Sequence, residues 1–213
     1  MIVVTPAIFT NDEGVLASQA NQLAPHAPWI QIDLSDGTMV PDATIMDIEK
    51  LKAVIVSHPT ISFEAHLMVD NPVKYLKPLV DAGFKRIIAQ VEAADPRQFM
   101  EDAQIESVEV GLALDGASEI DAIEPFLETV DLVVVMTVEA GVADAPFLPE
   151  SMEKMKSIRH HYPDLPIVAE GNIDERNASL LVDVGVSRIV ISADMLLKDP
   201  GSIDATIEAL QGK

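Results

Sequence analysis

The residues able to do chemistry lie at the ends of short apolar runs. Thr10-Asn11-Asp12 follows the first run, Gln31, Asp33 and Asp36 the second, and His66 and Met68 the third. Gln90, Glu92, Asp115, Met136, Thr137, Glu170, Asn172, Ser192 and Asp194 close the later ones. The set is acidic and amide-rich, with one His and neither Lys nor Arg. Two carboxylates beside one imidazole suit proton abstraction next to a carbonyl, or the binding of a hard divalent cation. The missing Lys removes Schiff-base aldol chemistry and the Lys–His–Glu arrangement of triosephosphate isomerisation. The Asp-x-Lys-x-x-Asp motif of phosphosugar decarboxylases is absent as well.

Each residue alone has a plainer account. A lone His at a strand end is more often a hydrogen-bonded structural residue, and Asp33 and Asp36 could cap the turn Ser35-Asp36-Gly37. Glu170 reads as a rim charge, Met68 and Met136 as apolar lining, and His26, His58, His160 and His161 as surface residues. Only their convergence on one mouth favours a site.

That convergence depends on the elements between them. Apolar, β-branched runs predict strands over 1–8, 29–33, 61–66, 86–91, 108–114, 132–136, 167–169 and 188–191. Helical periodicity predicts helices over 15–23 and 45–57, one opened by Asn71-Pro72 and one starting near Pro96. Further helices are expected over 120–127, 149–161, 175–184 and 202–210. Alternation implies parallel pairing, and a run such as Leu132-Val133-Val134-Val135-Met136 implies burial on both sheet faces. Eight strand–helix units predict an α/β fold, a (β/α)8 TIM barrel filling residues 1–213 as one domain. A doubly wound open sheet is the alternative, although no G-x-G-x-x-G follows the first strand. In a barrel, working residues sit at the carboxyl ends of strands, where this set lies.

Composition narrows the function. With 14 Lys plus Arg against 35 Asp plus Glu the net charge is −21, so phosphate backbones and anionic lipid surfaces are repelled. Nucleic-acid and membrane partners are therefore not expected. The absence of Cys removes disulfides, thiolate nucleophiles and thiolate-bound metals, and 48% apolar residues supply a full core. No basic n-region opens the chain and no apolar run reaches ~18 residues, so the expected setting is soluble and cytoplasmic.

Several blocks of the sequence follow one known family pattern. Thr5-Pro6-Ala7-Ile8-Phe9-Thr10 is similar to P-S-I-L-S, and Trp29-Ile30-Gln31-Ile32-Asp33-Leu34-Ser35-Asp36-Gly37-Thr38-Met39-Val40-Pro41 to W-I-H-x-D-x-M-D-G-x-F-V-P. Glu64-Ala65-His66-Leu67-Met68-Val69-Asp70-Asn71-Pro72 is similar to D-x-H-L-M-V-x-x-P, with Val91-Glu92-Ala93 and Val135-Met136-Thr137-Val138 as further matches. Together these blocks resemble the ribulose-phosphate 3-epimerase family of ribulose-phosphate-binding barrels, and the resemblance implies inversion of C3 of a pentulose 5-phosphate through an enediolate, with Asp33 and Glu170 as the acid–base pair. It also implies a metal group of Asp33, His66, Glu170 and Gln31, and a dimer. Two ligand positions depart: a family His is Gln31, and the Asp of V-D-G-G-I is Glu170. With one imidazole fewer, Mn²⁺ or Mg²⁺ is expected over Zn²⁺, or no ion at all.

By the same resemblance the substrate would be held by Thr10, Met68, Met136, Gly141, Gly171, Asn172, Ser192 and Ala193. The phosphate loop N-P-G-F-G-G-Q is here Glu139-Ala140-Gly141-Val142-Ala143-Asp144-Ala145, and Asn172 replaces a Gly. Glu139, Asp144 and Asp194 add negative charge, so two alternatives stand beside the phosphopentulose epimerase. One is an epimerase or isomerase of a less charged sugar; the other is a non-catalytic paralogue of the barrel.

Overall fold

The computed structural model describes residues 2–140 and 145–212. Eight parallel strands close into a barrel in sequential order: β1 (Val3–Ile8), β2 (Trp29–Leu34), β3 (Ser62–Leu67), β4 (Arg86–Gln90), β5 (Glu109–Leu114), β6 (Leu132–Met136), β7 (Ile167–Glu170) and β8 (Arg188–Ser192). The helices are α1 (Glu13–Leu23), α2 (Ile48–Ser57), α3 (Val73–Ala82), α4 (Pro96–Glu106), α5 (Glu150–His161), α6 (Glu175–Asp183), α7 (Ala193–Leu196) and α8 (Ile203–Leu210). This is the (β/α)8 barrel expected, and the open sheet is excluded by the β1–β8 pairing. Among the described residues, no helix is long and apolar enough to cross a membrane.

Successive strand residues point to opposite faces, which sorts the apolar side chains into two layers. Ile30, Phe63, Leu67, Ile87, Val133 and Ile189 join the helices in the outer core. Ala7, Ile88, Ala113, Val134, Val168 and Val190 fill the interior. Full burial of such side chains contributes ~1.5–3 kcal/mol each, and Phe63 and Phe99, both fully buried, are among the largest.

The helix starts explain some of the acidity. Asp12, Asp47, Asp95 and Asp174 each accept hydrogen bonds from backbone N–H groups in the first turn of α1, α2, α4 and α6. Such caps are worth ~1 kcal/mol each. In this fold all of these helix starts lie at the carboxyl ends of the strands, so capping alone puts acids around the mouth.

Two expected elements differ. The helix expected over 120–127 is a pair of 3₁₀ turns, Ile120–Ala122 and Glu124–Phe126. Pro125 lacks an N–H, and its ring collides with the carbonyl four residues back, which breaks the α ladder. The helix expected from residue 45 starts at Ile48, because the Asp47 side chain caps the N–H groups of Glu49 and Lys50.

At the amino end of the barrel, fully buried Glu64 accepts from Arg86 Nη1 and Arg188 Nη1, each at 2.5 Å. Arg86 also pairs with Glu109 at 2.6 Å and lies 4.1 Å over the Trp29 ring. Glu64 and Arg86 are register partners on β3 and β4, whereas Arg188 reaches in from β8.

Candidate active site

Register places the central groups. Asp33 and His66 are Cα partners on β2 and β3, so both side chains face the interior at the same level. Glu170 ends β7, opposite Met136 of β6. Between them runs β1, where Ala7 is the register partner of both Gln31 and Ser192. The small Ala7 side chain leaves Gln31 room to extend across the interior.

Gln31 is completely buried, and its Nε2 donates to Asp33 Oδ1 and to Glu170 Oε1, both at 2.8 Å. His66, also fully buried, lies with Nδ1 3.1 Å from Glu170 Oε1 and 3.8 Å from Asp33 Oδ1. Asp33 and Glu170 keep 8% and 7% exposure, so the carboxylates form the open side of the cluster. The expected four residues therefore meet, although they span 139 positions in sequence.

The electrostatics follow from this crowding. Burial raises the Asp33 carboxyl well above the usual carboxylate range, and the neighbouring Glu170 charge adds to the rise, against the opposing pull of His66 and the Gln31 hydrogen bond. Burial works to lower the His66 pKa, but the charge and hydrogen bond of Glu170, followed by Asp33, raise it to about 9. On the far side of the ring, the Gln90 amide lies 3.1 Å from His66 Nε2; in the orientation that gives each of its atoms a partner, its oxygen accepts from His66 Nε2 and its nitrogen donates to Ala113 O and Glu92 Oε2. With Nε2–H engaged, Nδ1 faces the carboxylates with either a proton or a lone pair.

Asp33, His66 and Glu170 offer one ligand atom each, all within 4.8 Å of one another. Glu170 Oε2 is buried with no hydrogen-bond partner among the described residues. A carboxylate oxygen left without a donor, two acids and an imidazole oriented by a carbonyl suit a divalent cation. Gln31 is different, since its nitrogen, which has no lone pair to give a metal, is the atom between the carboxylates. The fourth-ligand role expected of it requires the amide to turn over.

The expected substrate-binding residues are more scattered. Met136 lines the interior beside Glu170, and Met68 is buried just beyond β3. Gly171, at φ +118°, allows the chain to leave β7 against Val138, where any Cβ would collide. Asn172, at φ +44°, donates through Nδ2 to Ala145 O at 3.0 Å, linking the β7 and β6 loops. Ser192 is exposed at the end of β8 and Ala193 buried at the start of α7. The Thr10 hydroxyl accepts from Asp12 N at 3.1 Å, within its own loop. Gly141, like Asp144, lies outside the described residues.

Other strand-end acids are committed to structure. Asp36 accepts from Thr38 Oγ1 and, at 2.8 Å, from Tyr75 Oη. Asp115 accepts from the backbone N–H groups of Ala117 and Ala140. Asp194 accepts from Gln19 Nε2 at 2.7 Å. Two supporting residues were missing from the expected site. Gln90 orients His66, and buried Thr44 donates to Asp33 O at 3.0 Å while accepting from Ser35 N at 2.9 Å. Gln90, a polar end to the apolar run Ile87-Ile88-Ala89, was visible as a strand end; Thr44 carried no local signal.

The model of the "Ribulose-phosphate 3 epimerase family" matches residues 3–196. The chain belongs to this family of carbohydrate epimerases. Among family members, the cytoplasmic isoform of ribulose-phosphate 3-epimerase from Oryza sativa subsp. japonica is 28% identical, covering 94% of this chain and 90% of its own. The ribulose-phosphate 3-epimerase of Chlamydia pneumoniae is 29% identical, covering 100% of this chain and 95% of its own. The crystal structure of 3-keto-L-gulonate-6-phosphate decarboxylase from Vibrio cholerae superposes with a TM-score of 0.78 at 12% identity, over 99% of this chain and 96% of that one. That likeness speaks to the barrel alone.

Proposed function

We propose that the chain inverts C3 of a pentulose 5-phosphate by proton transfer between two carboxylates. The observation that carries this reading is the pairing of Asp33 and Glu170 on one amide nitrogen, 2.8 Å from each, beside His66. Ionised Asp33 takes the proton from C3, and the electron pair of the broken C–H bond moves into an enediolate, leaving the negative charge on the C2 oxygen. Glu170 delivers a proton to the opposite face of C3, and the charge collapses to the ketone; in the reverse direction the two acids exchange roles. The His66 imidazole stands beside both acids and opposes their charge. When bound, a divalent cation held by Asp33, His66 and Glu170 supplies positive charge for the developing oxyanion.

In D₂O, ribulose 5-phosphate is expected to be converted to its C3 epimer with deuterium at C3, read by NMR. Sugar that stays unexchanged with stoichiometric protein would overturn the reading. The Michaelis constant should lie above the ordinary ~1 µM to ~1 mM range. It should fall as salt is added, because shortening the screening length from ~30 to ~8 Å weakens repulsion between a dianion and the acidic rim. Tight, salt-insensitive binding would contradict the loop reading.

A less charged sugar is a second reading, favoured by Asn172, whose side chain ties down the loop after β6 where the family pattern has Gly. Comparing binding of phosphorylated and free ketoses separates the two.

We also propose that Mn²⁺ or Mg²⁺ is the ion preferred, since two oxygens and one nitrogen are a poor set for zinc. Protein purified without added metal should carry little zinc and lose any ion to a chelator. Stoichiometric, chelator-resistant zinc would show the preference to be wrong.

A further inference from the structure

Gln31 stands where the family pattern has an imidazole, and its amide is turned so that nitrogen, not oxygen, meets the acids. Both N–H groups are used, one on Asp33 Oδ1 and one on Glu170 Oε1, each at 2.8 Å. These are also the two oxygens that approach His66 Nδ1, at 3.8 and 3.1 Å. They are the oxygens turned towards the imidazole, so a cation shared by all three side chains at that point meets the Gln31 N–H groups, even though Glu170 Oε2 is left unpartnered. Gln31 Oε1, in contrast, is buried with no hydrogen-bond partner among the described residues.

We propose that Gln31 is an internal competitor for the cation: its NH₂ group ties the two carboxylates together and must be displaced before a divalent ion is bound. The residue thereby keeps loading weak and reversible, where an imidazole would add a ligand. The inference rests on reading Asp33, His66 and Glu170 as a cation group and is independent of the substrate. Hydrogen bonds to charged groups are worth enough for their removal to change affinity by about tenfold or more.

The sign of the effect decides between this role and coordination through Oε1. Gln31→Met keeps the length of the side chain but has no N–H, and its thioether is a poor ligand for hard Mn²⁺. Mn²⁺ binding by the full chain would be measured at fixed pH by calorimetry and by the electron paramagnetic resonance of free ion, with folding checked by circular dichroism. The expected result is Mn²⁺ binding about tenfold tighter, or more, in Gln31→Met than in the wild type. Weaker or unchanged binding in the variant would overturn the proposal. Undetectable Mn²⁺ binding in both would overturn it together with the cation group, whatever the epimerase assay shows. If Gln31→Met does not fold, Gln31→Leu, equally without amide atoms, carries the same comparison.

Discussion

Asp33→Asn is expected to lower turnover of ribulose 5-phosphate by ~100-fold to ~10,000-fold, the usual cost of losing a general base. Asn has nearly the same shape, and its Oδ1 can still accept from Gln31 Nε2, now at 2.8 Å from the Asp oxygen. What it cannot do is take a proton. The variant also loses a charge beside Glu170, whose own charge, after burial, is a cause holding the Asp33 carboxyl above its ordinary range. Removing like-charge repulsion offsets the loss of the weaker contact to His66 at 3.8 Å. Thermal stability should therefore hold or rise while activity collapses. Steady-state kinetics beside a thermal melt checks both halves. Wild-type-like turnover in the folded variant would remove Asp33 from the mechanism.

Glu64→Gln is expected to have the opposite signature, costing ~3–5 kcal/mol of stability while the folded fraction keeps its activity. Glu64 is fully buried, and its Oε2 receives both Arg86 and Arg188 at 2.5 Å. The arginine side chains are only 14% and 11% exposed, so water replaces little of a lost carboxylate. Arg86 would keep Glu109 and its place over Trp29, but no other acid pairs with Arg188 among the described residues. As a contrast, Glu109→Gln removes a carboxylate whose side chain is 53% exposed and should cost at most ~1 kcal/mol. Urea unfolding of the two variants makes the comparison. Similar small losses in both would show that the buried cluster is not a stabilising feature. Its place at the amino end of the barrel is where side chains serve the scaffold, not the reaction.

Much of the architecture was legible because it depends on local pattern. Eight β-branched runs separated by amphipathic stretches imply parallel pairing, and both-face burial of runs such as Leu132–Met136 implies helices outside the sheet. The failure at residues 120–127 was local as well: Pro125 sat inside the periodic stretch, and its missing N–H outweighed the apolar spacing. Asp33 and His66 were legible from two contiguous blocks, and Glu170 from its place at the end of the seventh run.

By itself, then, the amino-acid sequence determined the barrel, its family and the identity of the acids and the imidazole at the mouth. Tertiary structure brought Asp33 and Glu170 onto one amide nitrogen, as the family blocks implied, and it alone decided which other acids are taken up elsewhere. Asp36, Asp115 and Asp194 look as suitable as Asp33 in sequence, yet each is satisfied by a hydroxyl, an amide or backbone N–H groups. Closure of the barrel set Gln31 against Glu170, and Glu64 against Arg188, across 139 and 124 positions. Which atom of the Gln31 amide faces the carboxylates was likewise settled there, because an amide's orientation follows the hydrogen-bonding needs of whatever groups the fold packs around it.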